Sequence, residues 1–350
     1  MAEPSRTLDP LDQELELPQP YLLFLGDTTD PGYAKTAFGL RDWAGQRCVG
    51  EYSLPNATVS TGLPQYTPHQ AYQHGARALV IGVANSGGFI AQNWVPALEE
   101  ALEAGLDIIS GMHARLGDIP SLKQLAERLG RRLIDVRQPP ANIPVGSGRK
   151  RSGKRLLTVG TDCALGKKYS ALAIARALQQ LGVKADFRAT GQTGIIIAGA
   201  GIPMDAVVSD FAAGAAEMLS PDAAEDHWDV IEGQGSLFHP SYAGVSLALL
   251  HGSQPDVIVA CHEAGRKEIL GHEEYALPSI EETIEVTLTL GRRTNPVIRC
   301  GGVCLNTGHL SDADADALIA AESARLGIPV ADPIRGGPAF DRLIDNCLAA

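Results

Sequence analysis

Aromatic side chains are scarce in this chain. They make up 5% of 350 residues, although 45% are hydrophobic overall. A core built from Ala, Leu, Val and Ile, with 38 glycines at the turns, is the composition of a globular α/β protein. No apolar run reaches the length of a membrane span, and no basic segment leads into an apolar one at the N-terminus. A membrane partner and a secretory leader are therefore not expected, and the cytoplasm is the expected location. The six cysteines include no CxxC pair, and Cys300 and Cys304 have no second pair to complete a zinc set. Reduced thiols and no metal follow. Positive charge is also in deficit, with 29 Lys and Arg against 41 Asp and Glu. That excludes an extended phosphate-neutralising surface and hence nucleic acid as a partner. The one basic run, Arg149 to Arg151 with Lys154 and Arg155, reads as a solvated linker or as cations greeting a phosphorylated ligand.

What is present is a βα rhythm long enough for two domains. Residues 1–20, rich in acid and proline, suggest an irregular arm. From Tyr21 to residue 137, apolar strands at 21–25, 78–83, 107–110 and 132–136 alternate with helical patterns at 35–43, 94–104 and 122–129. This spacing predicts a parallel sheet wound on both faces, a Rossmann-like domain without the GxGxxG fingerprint. Residues 138–153 (QPPANIPVGSGRKRSG) carry a linker composition. The rhythm then restarts over 154–350. Strands are expected at 155–159, 184–189, 229–231, 256–260 and 296–300, with helices at 167–180, 205–219, 242–251, 280–290 and 313–325.

The most informative segment is GTDCALGKK, Gly160, Thr161, Asp162, Cys163, Ala164, Leu165, Gly166, Lys167 and Lys168, set between a strand and a helix. Inward-turned backbone N–H groups and a helix N-terminus bind phosphate oxygens, and Lys167 adds a point charge. Gly166 is expected to allow close approach of the chain. The second domain is thus P-loop NTPase-like. Its departure from the pattern is Lys168, which stands where a Ser or Thr hydroxyl normally holds Mg²⁺. Two adjacent cations suit a phosphorylated ligand without an essential metal, such as coenzyme A, better than ATP hydrolysis. Cys163, beside the loop amides, is either an activated thiol or a space filler.

Other polar residues follow strand ends, where open α/β sheets bind ligands. Glu232, followed by glycines at 233 and 235, reads as a base, a ligand for a substrate amine or a metal, or a structural acid. His239, three residues after Ser236, is a rival base or a packed turn residue. Arg188 and Arg266 each offer a carboxylate-gripping fork or a surface ion pair. His113 and Asn85 lie at strand ends of the first domain.

The loop, together with EGQG at 232–235 and the late GVCLN ending at Asn306, resembles dethiobiotin synthetase and its P-loop relatives. In that resemblance Asn306 reads the base. A longer likeness, from about Tyr21 onward, is to the D-glutamate N-acetyltransferase family. It rests on GLDIISGMH at 105–113, DVRQPP at 135–140, the P-loop, RATGQTG at 188–194, DAVVSD at 205–210, IEGQGSLFHPSY at 231–242 and IPVADPIR at 328–335. It implies acetyl transfer from acetyl-CoA to the amino group of D-glutamate. The loop would then hold the coenzyme A phosphates, with Asn306 at the adenine and Arg188 and Arg266 on the substrate carboxylates. Glu232 or His239 would take the amine proton. The other expectations are an ATP-dependent ligase or kinase using Mg-ATP, and a non-catalytic nucleotide sensor. Paired α/β domains commonly leave apolar surface for self-association, so a homo-oligomer is among the expectations.

Overall fold

The computed structural model describes residues 15–85 and 87–349. Residues 1–14 of the expected arm, and Ser86, lie outside the described residues. The chain forms two compact bodies. One contains the residues up to Pro139 together with Gly191–Ala206; the other contains Pro140–Thr190 and the chain from Val207 onward.

The first body is built from β1 (Tyr21–Gly26), α1 (Lys35–Ala44), β2 (Cys48–Ser53), α2 (Pro68–Gln73), β3 (Ala78–Ile81), α3 (Val95–Glu103), β4 (Asp107–Ser110), α4 (Pro120–Leu129) and β5 (Leu133–Asp135). Its sheet has the order β2-β1-β3-β4-β5 with every pair parallel. The run YLLFLG of β1 is buried at every position, as a strand covered on both faces requires. In α4, Leu122, Leu125 and Ala126 bury one face, and Gly130 ends the helix at φ 64°. Strand β2 escapes the sequence pattern because its sequence, CVGEYS, is half polar. Its Glu51 is nonetheless fully buried, accepting hydrogen bonds from the Thr61 amide at 2.6 Å and from Gln65 Nε2 at 2.6 Å.

The second body begins with β6 (Lys154–Gly160), α5 (Lys167–Gln180) and β7 (Ala185–Arg188). Helix α6 (Gln192–Ala198) belongs to the segment grouped with the first body. The second body resumes with α7 (Ala212–Leu219), β8 (Trp228–Ile231), α8 (Ala243–Ser253), β9 (Val257–Glu263) and the hairpin β10 (Glu268–Ile269) and β11 (His272–Ala276). It closes with α9 (Ile280–Gly291), β12 (Arg299–Asn306), α10 (Asp312–Leu326), β13 (Val330–Ala331) and α11 (Gly337–Leu348). The main sheet is parallel with order β13-β12-β9-β6-β8-β7. Strand β6 sits where the winding reverses, and the carboxyl end of such a strand opens into the ligand crevice.

Three expectations change. The helix expected over 205–219 is reduced to α7, preceded by two short 3-10 turns. The strand expected at 296–300 is β12, displaced to Arg299–Asn306. The basic run divides: Arg149, Lys150 and Lys154 are exposed, as a solvated linker would have them, whereas Arg151 and Arg155 are buried. Arg155 is fully buried, its guanidinium donating to the carbonyls of Arg151, Ser152, Gly153, Ser220 and Pro221. Arg151 is buried beside it on Ser220, Gly252 and Ser253. Arg155 is the second residue of β6, and the P-loop leaves the far end of that strand about 17 Å away.

Candidate active site

The P-loop leaves β6 at Gly160 and enters α5 at Lys167. Gly166 adopts φ 104°, and a Cβ there would meet nothing within 4 Å. Glycine is therefore required by backbone conformation. Close approach within the protein falls on Gly233, where a Cβ would stand 1.7 Å from the carbonyl oxygen of Thr158. The Gly233 amide donates to Thr158 Oγ1 at 2.9 Å, so the turn after β8 is pressed onto β6. Lys167 is buried, and its ammonium donates to the Asp162 carbonyl at 2.6 Å. Burial lowers its pKa, while Cys163, Cys261 and Asp162 oppose the shift.

Neighbouring loops brace this segment from outside. Thr161 Oγ1 pairs with His262 Nδ1 at 3.0 Å, and Ser236 Oγ donates to the Thr161 carbonyl at 3.1 Å. Asp162 is fully buried, and its Oδ2 accepts from Arg266 Nη1 at 3.1 Å and from the Leu270 amide at 2.8 Å. Arg266 also donates to the Cys163 carbonyl at 2.8 Å and pairs with Glu263 at 2.6 Å. The structure thus brings Arg266 to the P-loop, where its fork holds loop atoms. Arg188 is directed elsewhere. Its Nε lies 2.6 Å from Asp229 Oδ1, and Asp229 stands two residues earlier on β8 than Ile231, the register partner of Arg188. This contact draws the guanidinium back from the carboxyl edge of the sheet.

Two regions of sequence similarity decide the family. Residues 144–343 match the P-loop domain described as a domain of unknown function, DUF1611_C, and residues 47–139 match its Rossmann-like companion, DUF1611_N. The chain belongs to the DUF1611 family. Among its relatives is the D-glutamate N-acetyltransferase of Tritonibacter scottomollicae, 50% identical over 330 residues that cover 94% of this chain and 98% of that protein. A D-glutamate N-acetyltransferase of a Pseudoalteromonas species is 46% identical over 332 residues, covering 95% of this chain and 99% of the relative. The crystal structure of a DUF1611 protein from Anabaena variabilis superposes with a TM-score of 0.84 at 32% identity, covering 94% of this chain and 99% of that one.

In this DUF1611 protein the candidate bases have different surroundings. Glu232 is buried just beyond β8, and its Oε2 accepts the Thr190 amide at 2.9 Å. Thr190 Oγ1 donates to the Glu232 carbonyl at 2.7 Å and accepts from Gln234 Nε2 at 2.9 Å. His239 is buried against Tyr242 and His272, with ring centroids at 4.5 and 5.2 Å, and its Nδ1 accepts the Ser241 amide at 3.1 Å. Burial lowers its pKa, Asp162 works to raise it, and His272 lowers it further. Asp162, Cys163 and His239 bring one ligand-type atom each within 4.8 Å of one another.

Asn306 ends β12, level with Glu263, and its Oδ1 accepts the Gly308 amide at 3.1 Å. Beside it lies a network that residue-level reading missed. Asp332 Oδ2 accepts from the amide and hydroxyl of Thr307, at 2.9 and 2.6 Å, and Arg335 donates to Thr307 Oγ1 at 2.8 Å. The signal was the string IPVADPIR, whose Asp and Arg stand three apart. In the first body, Asn85 closes its own turn onto Phe89, and Gly88 leaves space that His113 fills. Among the described residues no helix is long and apolar enough to cross a membrane.

Proposed function

We propose that this chain transfers an acetyl group from acetyl-CoA to the amino group of D-glutamate, in the breakdown of D-amino acids. The observation that carries the reading is identity of 46–50%, across nearly the whole chain, to two proteins so named. The geometry agrees with it. A cradle that carries Lys168 in place of a hydroxyl suits a diphosphate that needs no metal. Neighbouring strands lie about 4.8 Å apart, so the carboxyl edge from β12 to β7 runs about 19 Å. Along that edge stand Asn306, the P-loop, Glu232 and Thr190 in turn. An extended coenzyme A would lie with adenine at Asn306, diphosphate on Gly160 to Lys168, and its pantetheine arm crossing β8.

Glu232 then takes a proton from the substrate ammonium. The amine attacks the thioester carbonyl, a C–N bond forms, the C–S bond breaks, and the second proton of the attacking nitrogen passes to the departing thiolate. Backbone N–H groups near Gly235 are suited to the oxyanion, whereas that of Gly233 is already held by Thr158 Oγ1. Arg266, pinned on the loop, fits a bracing role better than that of a second carboxylate clamp, and Arg188 is committed to Asp229.

Purified protein incubated with acetyl-CoA and either D- or L-glutamate is expected to release free thiol only with the D-isomer. A parallel arm with ATP and Mg²⁺ is expected to give no ADP. ADP formation without thiol release would overturn the proposal in favour of a ligase or kinase.

A further inference from the structure

Among the described residues, Asp162 Oδ1 is a buried carboxylate oxygen with no hydrogen-bond partner, although Oδ2 of the same group has two. Buried oxygens of this kind normally find a donor. Facing it at 4.0 Å is His239 Nε2.

The protonation of that histidine follows from its other nitrogen. Nδ1 accepts the Ser241 amide, so it carries a lone pair, and the single proton of the neutral ring is on Nε2. Burial favours the neutral ring, opposed by Asp162 and by a backbone hydrogen bond with Leu270. A protonated Nε2 has no lone pair for a metal, so the Asp162, Cys163 and His239 grouping loses its nitrogen ligand. For the same reason Nε2 cannot accept a proton from an ammonium group, which leaves Glu232 as the base.

A donor therefore faces an acceptor across a distance too long for them to bond each other. One oxygen making two hydrogen bonds of about 2.8 Å spans about 4 to 5 Å between its partners. That oxygen must accept from His239 and donate to Asp162. An ionised phosphate has no hydrogen to give, and an ammonium has no lone pair. A hydroxyl has both, as has water, and a water there would leave coenzyme A affinity unchanged on replacing His239.

We infer that Asp162 and His239 form a subsite for a ligand hydroxyl, and that this is the pantoyl hydroxyl of coenzyme A. The inference rests on the acetyl-CoA reading above. The pantoyl unit follows the diphosphate directly, so its hydroxyl is the first such group beyond a P-loop-bound diphosphate on the reacting side. The ribose hydroxyls lie on the opposite, adenine side.

The test is calorimetric titration of coenzyme A and of ADP into the full chain and its variants. His239→Ala is expected to weaken coenzyme A by about tenfold and leave ADP within about twofold. His239→Gln, whose amide N–H reproduces the Nε2 donor, recovers most of the loss. In Asp162→Asn, the Arg266 and Leu270 donors hold the carbonyl oxygen, so an NH₂ replaces Oδ1 and coenzyme A binding falls similarly. Retained ADP affinity shows that each variant is folded. Equal losses for both ligands would assign the subsite to ribose and overturn the inference, as would unchanged coenzyme A affinity. Wild-type protein that binds ADP but not coenzyme A would instead overturn the acetyl-CoA reading. A second measurement needs no variant: ¹⁵N shifts of His239 should show the Nε2–H tautomer near neutral pH, and an Nδ1–H pattern would refute the subsite.

Discussion

Replacing Arg155 by methionine tests whether the buried part of the basic run, Arg151 and Arg155, serves the fold or a ligand. The guanidinium makes six hydrogen bonds of 2.9 to 3.3 Å to five backbone carbonyls. Methionine fills much of the volume and removes every donor. Ser220 O keeps Arg151 Nε at 2.7 Å, but the Arg151 carbonyl loses the guanidinium donor in a buried setting. Bonds from a charged donor contribute about 1.5–3 kcal/mol each when broken, and release from desolvating the cation offsets part of their sum. A net loss of about 3 kcal/mol is expected. Urea unfolding followed by circular dichroism measures it as a lower midpoint at an unchanged slope. Coenzyme A affinity of the folded variant should stay at the wild-type value, because the side chain lies at the amino end of β6. A stability change below about 0.5 kcal/mol, the usual range for a surface residue, would refute the structural role. Lost affinity at full stability would restore the phosphate-greeting role.

Three further outcomes are expected. Gly233→Ala forces a methyl group into the Thr158 carbonyl, a backbone atom that cannot rotate away, and should lower stability by about 3 kcal/mol or more in the same urea assay; a wild-type midpoint would contradict the packing. Glu232→Gln keeps an oxygen for the Thr190 amide but cannot take a proton, so kcat should fall about 10²–10⁴-fold with KM and Tm held, and an unchanged kcat would exclude it as the base. Burial pushes the thiols of Cys48 and Cys347 up to about 12 and that of Cys300 up to about 11, so at pH 8 these three should resist iodoacetamide in the native protein and react after unfolding; mass spectrometry showing rapid native labelling would contradict this.

The elements legible in the sequence are those that an apolar run or a local motif announces by itself. Strand β1 is an unbroken apolar run, and α5 opens on the Gly-Lys of the P-loop. What escaped did so because tertiary contacts override local signals. Gly301 and Gly302 read as breakers, yet a Cβ at either would stand 2.6 Å from another atom, Cys347 Sγ or the Pro329 carbonyl oxygen, so glycine there permits β12 to continue. The stretch QTGIIIA is too short to declare itself as α6, and the mostly exposed hairpin β10–β11, which buries Ile269, is too short and polar to betray itself. At the site, the P-loop and its companions on strand ends were visible as residue types. Their partners were not: that Arg188 turns to Asp229 while Arg266 grips Asp162 depends on register and loop course, which composition does not encode.

The external bracing of the P-loop has a thermodynamic consequence. Thr161, Asp162 and Cys163 are tied through His262 at the end of β9, Ser236 and Arg266 in the loops after β8 and β9, and Leu270 in the turn between β10 and β11. Fixing a backbone residue from a disordered state opposes binding by about 1–2 kcal/mol. Here that ordering is completed during folding, so on the proposed reading a diphosphate would meet amides already in place and keep most of its interaction free energy as affinity. A rigid cradle of this kind sets its selectivity by shape and hydrogen-bond pattern, and the same folding event that closes the sheet fixes which ligand the loop will hold.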